Sequence, residues 1–173
     1  MQEAIPLTGK ERRFSDDEFI VSKTDTRGII TYANDVFLRI ADYRLEEVLG
    51  KPHNMIRHPG MPRCIFKFLW DRIKSGNEVF AYVNNRTKFG DHYWVFAHVT
   101  PSYDDAGQII GFHSNRRSPT PASIAKVSPL YQQLRAMEDA APTPQQGVAA
   151  SSEALTQWVN ANGGNYDALI HTL

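Results

Sequence analysis

Glu78-Val-Phe-Ala-Tyr-Val-Asn-Asn-Arg-Thr-Lys-Phe-Gly-Asp-His-Tyr-Trp-Val-Phe-Ala-His-Val-Thr-Pro-Ser-Tyr103 decides the fold. In its first half Val79, Ala81 and Val83 fall on alternate positions, which predicts a strand over 78–88. In its second half Trp94, Phe96, His98 and Thr100 share one face and Tyr93, Val95, Ala97 and Val99 the other. That alternation predicts a longer strand over 92–103. Phe89-Gly-Asp91 is short enough only for a tight turn. Beyond it, Asp104-Asp-Ala-Gly107 turns the chain again and 108–115 reads as a further strand. Three strands joined by short glycine-containing turns make an antiparallel meander.

Upstream of the meander, 63–74 carries Cys64, Phe68 and other apolar residues at helical spacing, and Ser75-Gly76 ends that helix. It follows Lys51-Pro-His-Asn-Met-Ile-Arg-His-Pro-Gly-Met-Pro-Arg63. The prolines confine this stretch to a turn of helix near 54–57. Lys51, His53, Arg57, His58 and Arg63 crowd it with no carboxylate between them. Basic groups beside the start of a helix make a seat for an anion. Earlier still, 19–22 and 29–32 read as a hairpin about Thr24-Asp-Thr-Arg-Gly28, and 33–40 as a helix capped by Asn34 or Asp35. Leu45 to Gly50 adds one more helical turn. The order, two strands, short helices, three strands, is an α+β arrangement: a five-stranded antiparallel sheet with helices on one face.

Downstream, 123–137 reads as a helix interrupted by Pro129, and 140–152 is Ala-, Pro- and Gln-rich, as a linker is. The chain divides into a tail or cap over 1–17, a domain over 18–118, a C-terminal helix over 119–138, and a linker and tail over 139–173 with one short helix near 153–160. Lys+Arg and Asp+Glu each number 19, so nothing favours nucleic acid or an anionic membrane surface. Cys64 is the single cysteine, which excludes an intrachain disulfide, argues against a thiolate metal site and suggests a reducing, cytoplasmic setting. No run approaches membrane-spanning length.

The order of elements resembles a PAS domain. Thr24-Asp-Thr-Arg-Gly-Ile-Ile-Thr-Tyr-Ala-Asn34, Gly50 to Pro62, and Asn84-Asn-Arg-Thr-Lys-Phe-Gly-Asp-His-Tyr-Trp94 are similar to the FAD-binding PAS sensors of aerotaxis (energy-taxis) receptors. The resemblance implies non-covalent FAD and a redox or oxygen sensor rather than an enzyme. It also implies output to a chemoreceptor-like partner, with a homodimer left open; the helix over 123–137 follows the last strand directly, so it and the sheet are the expected output surfaces. That family usually has aspartate where this chain has Gly60. For the cofactor, Trp70 and Trp94 suit the ring faces, Arg57, His58 and His53 the diphosphate, and Asn85, then Asn34, the ring's alternating donors and acceptors. Two other readings compete: a haem PAS domain with His53 or His58 as axial ligand, and a ligand-free interaction module. A light sensor needs a cysteine within its own motif, which Cys64 in Arg-Cys-Ile-Phe does not supply.

Overall fold

The computed structural model describes residues 5–173. Five strands form one sheet in the order β2-β1-β5-β4-β3, every neighbouring pair antiparallel. β1 is Ile20–Thr24, β2 Ile30–Ala33, β3 Val79–Arg86, β4 His92–Tyr103 and β5 Ile109–Arg117. The register pairs Asn85 with Tyr93 and Val83 with Val95. Directly opposed residues share a face, so Val79, Ala81, Val83, Val95, Ala97 and Val99 build the buried inner face.

The connection from β2 to β3 crosses this inner face. It contains α1 (Asp35–Ala41), α2 (Leu45–Val48), a 3-10 turn at His53–Ile56, and α3 (Arg63–Lys74). The basic segment straps the two edges of the sheet together. At one end Ile30 N donates to Lys51 O (2.9 Å) and His53 N to Gly28 O (2.9 Å). At the other, Arg57 bridges to Asn85 on β3. Both edge strands therefore have partners, and the space between strap and sheet is closed on two sides.

The N-terminal segment acts as a cap. Arg12 N donates to His92 O (2.7 Å), and the Arg12 guanidinium meets both Asp42 and Asp91. Those two carboxylates raise the proton affinity of Arg12, Asp42 most strongly.

The largest departure from the sequence reading is the C-terminus. Residues 139–173, expected as a linker and tail with one short helix near 153–160, belong mostly to packed helices: the end of α4 (Pro121–Ala140), α5 (Pro144–Ala161) and α6 (Tyr166–Ile170). Pro144 occupies the first turn of α5, where a missing N–H costs nothing, and Thr143 caps it. Pro129 does not break α4, which runs on for a further eleven residues. These helices lie against the outer face at β3 and β4. Tyr131 Oη donates to Tyr82 O and Tyr166 Oη to Phe80 O, each at 2.7 Å.

Candidate functional site

A cavity of about 370 Å³ lies between the inner face, the strap and α3. Its floor is the sheet: Ser22 and Thr24 of β1, Val83 and Asn85 of β3, Ala97 and Val99 of β4, and Phe112, Ser114 and Arg116 of β5. Its roof is Phe66, Leu69, Trp70 and Ile73 of α3, with His53 and Arg57 of the strap. Exposed Thr26, Arg27 and Lys74 mark the solvent side. Gly28 completes the wall: its φ is +82°, and a Cβ there would stand 3.0 Å from the Trp70 ring.

Arg116 is the dominant charge, and the sequence reading did not include it. It is 3% exposed, and among the described residues no carboxylate pairs with it. Its Nη2 donates to Ser22 Oγ and His53 Nε2, both at 2.6 Å, whereas its buried Nη1 has no partner. Burial pushes the guanidinium down to about 10.

An arginine can only donate, so His53 Nε2 is the acceptor and the ring proton sits on Nδ1. Ser22 Oγ lies 3.1 Å from the same nitrogen, in reach to donate while it accepts from Arg116. Burial, then the neighbouring Arg116 charge, pushes His53 down to about 3, so the ring is neutral.

Arg57 is half-buried over the Phe66 ring, 3.5 Å from its centroid, with its buried Nε unpartnered. Burial, then Arg63, lowers its proton affinity. Trp70 meets Phe112 edge to face at 5.5 Å, giving the cavity an aromatic wall. Asn85, 4% exposed, lines the cavity from the edge strand β3, where it bridges to Arg57.

Of the expected site residues, Arg57, His53, Trp70 and Asn85 line the cavity, and three others stand elsewhere. Asn34 is spent on structure: its Oδ1 accepts from Phe37 N and Val21 N (3.0 Å each) and its Nδ2 donates to Phe19 O (2.8 Å). Trp94 pairs with Asn84 in the β3–β4 register, so it projects from the outer face and packs against Tyr131. His58 turns away, its Nδ1 accepting from Gly60 N (3.0 Å) and its ring set against His92. A Cβ on residue 60 would stand 3.1 Å from that ring, so the present His58 position suits glycine better than any larger residue.

An antiparallel five-stranded sheet in this order, with its β2–β3 connection roofing a cavity on one face, defines the PAS fold. A family model described as PAS fold matches residues 30–116, and the chain belongs to that family. It is 42% identical over 130 residues to the aerotaxis receptor of Escherichia coli K12, covering 75% of this chain and 26% of that receptor. It is 31% identical over 109 residues to phototropin-1A of Oryza sativa subsp. japonica, covering 63% of this chain and 12% of phototropin-1A. The chain thus spans about a quarter or less of these relatives. Among solved structures, the dark state of the blue-light photoreceptor Aureochrome1 LOV superposes with a TM-score of 0.55 at 21% identity, covering 64% of this chain and 81% of that one. A light-oxygen-voltage domain studied with a flavin analogue gives 0.57 at 19%, covering 64% and 83%. Both show the same fold. Among the described residues no helix is long and apolar enough to cross a membrane.

Proposed function

We propose that the cavity binds a flavin, specifically FAD, without a covalent bond, and that the chain reports redox or oxygen state to a chemoreceptor-type partner instead of turning over a substrate. The observation that carries this reading is Arg116: a buried cation that lines the cavity and whose Nη1 has no protein partner leaves a donor for an acceptor on a ligand. The residues present fit a flavin. Asn85 and Arg116 suit the polar edge of the ring, Trp70 and Phe112 its faces, and Arg57 the diphosphate. A volume of about 370 Å³ falls in the range of small-molecule sites, roughly 300–1,000 Å³. A bound flavin supplies reversible electron uptake, in which a ring nitrogen changes from acceptor to donor.

The chain's own residues are arranged to respond. An amide at Asn85 offers both a donor and an acceptor and can turn to follow such a change. Its strand bridges to Arg57 in the strap, so a shift there reaches two elements. The relatives support the reading: one is by name a receptor for aerotaxis, and a similar fold was studied with a flavin analogue.

Haem is disfavoured because His53 Nε2, the nitrogen facing Arg116, already accepts its hydrogen bonds. A cysteine photocycle is disfavoured because Cys64 lies outside the cavity lining, and burial pushes its thiol up to about 11. Denaturation followed by chromatography of the released chromophore distinguishes FAD from FMN. For the sensor role, flavin midpoint potentials are measured with and without an aerotaxis-type receptor fragment. Linkage requires a shift, and identical midpoints with binding independently confirmed would refute the coupling.

A further inference from the structure

Glu138 lies on α4, beyond residues 30–116 that the family model matches. Its side chain has no exposed surface. The carboxylate accepts from Arg63 N (2.8 Å) and Cys64 N (2.9 Å), the first two amides of α3, and from Ser151 Oγ of α5 (3.0 Å). Pro62 precedes α3 and its side chain offers no cap, so Glu138 supplies the acceptor that α3 lacks within its own sequence. One carboxylate therefore holds three elements together.

Two features tie this junction to the cavity. α3 is the roof: Phe66, Leu69, Trp70 and Ile73 all descend from the helix that Glu138 caps. The strap from Arg57 runs directly into Arg63, and the Glu138 charge is close enough to raise the proton affinity of Arg57. On the far side, α5 approaches α4 at Gly147, where a Cβ would stand 2.8 Å from Glu138 O and 3.0 Å from Glu138 Cα. Glycine there keeps α5 seated against the residue that caps α3. A displacement of the roof has a short, packed path to α5, which ends at Ala161.

We infer that Glu138 is a positioning residue coupling the α3 roof to the α4–α5 hairpin, so that the ligand state of the cavity controls how firmly α5 is held. The inference rests on the flavin reading above and names the element that carries its output. Coupling is reciprocal, so loosening α5 weakens the ligand by the factor with which the ligand tightens α5.

The test compares amide hydrogen exchange over residues 145–161 in the flavin-loaded and flavin-stripped full chain. It adds flavin affinity for Glu138→Gln and Gly147→Ala, with circular dichroism to confirm folding. Loading with FAD slows exchange in α5 of the wild type. Each variant weakens FAD at least about fivefold and shrinks the loading-dependent difference in α5, a readout that a purely structural cap would leave intact. If Glu138→Gln does not fold, Gly147→Ala carries the affinity measurement, and the wild-type exchange comparison needs no variant. Wild-type protein that binds FAD with unchanged α5 exchange overturns the inference and leaves the flavin reading standing. So do folded variants with wild-type affinity. Failure of the wild type to bind any flavin is seen first, in the spectrum, and overturns both.

Discussion

Arg116→Met removes the buried charge and keeps an unbranched apolar stem. Burial pushes the guanidinium down to about 10. At about 1.4 kcal/mol per tenfold change in proton affinity, this places on the order of 3 kcal/mol of cost on the folded state. Because the folded value lies below the unfolded one, that cost is in full force below about pH 10, neutral pH included, and fades only as pH rises through it. Against it stand the hydrogen bonds to Ser22 and His53. Nη2 carries two N–H groups, but its two acceptors stand only 3.1 Å apart, which bends both bonds, so together they contribute roughly 1.5–3 kcal/mol. The opposing contributions nearly cancel. Ligand-free Arg116→Met should keep its stability within about 1.5 kcal/mol, a melting shift of roughly 3–6 °C at most for a chain of this size. Flavin affinity should fall roughly ten- to a hundredfold, because the ligand loses its buried charged donor. Thermal melts of the stripped protein and quenching of flavin fluorescence on titration measure the two quantities. A loss of more than about 4 kcal/mol in the ligand-free protein, with affinity unchanged, would show that the guanidinium serves the fold and not the ligand.

His53, held neutral down to about 3, takes up its proton more readily unfolded than folded. Stability should therefore fall as pH drops from about 6.5 toward 3, by up to about 1 kcal/mol per pH unit since the ring keeps some exposure at the cavity. In His53→Gln that component of the pH dependence in chemical denaturation should vanish; an unaltered slope contradicts the assignment. Arg57→Ala should weaken flavin roughly tenfold or more, and equal occupancy in purified mutant and wild type would remove Arg57 from the site. Trp70→Ala should strip the aromatic wall and reduce flavin retention, whereas Trp94→Phe, on the outer face, should leave the flavin spectrum unchanged; the reverse order would place the ligand on the wrong side of the sheet. Cys64→Ala should preserve both flavin spectrum and photoreduction, and a light-induced adduct lost in that mutant would restore a cysteine chemistry.

Much of this was legible because strands and glycine turns announce themselves locally. The alternation over 92–103 locates β4 to the residue, and α3 starts and stops where the sequence places it. Trp94 shows what local reading lacks. Its face relative to Asn85 depends on the β3–β4 register, where Asn85 opposes Tyr93 and so shares a face with it instead. Arg116 escaped for a related reason. Asn115-Arg-Arg117 reads as a polar exit from the sheet, yet counting by twos from Phe112 through Ser114 carries the inner face one residue past the expected strand end. The C-terminal helices were hidden by composition. Alanines, serines and Gly147 look like linker residues because they bury little area singly, but they permit the close α4–α5 packing that makes a helical hairpin of them.

The most direct test of the account is the visible absorption spectrum of the protein as purified from cells grown with ordinary flavin supply. The account predicts the two-band spectrum of an oxidised flavin, bleached by dithionite and restored by air, with FAD released on denaturation. A colourless protein that also fails to take up added FAD, or a haem spectrum in its place, would contradict it.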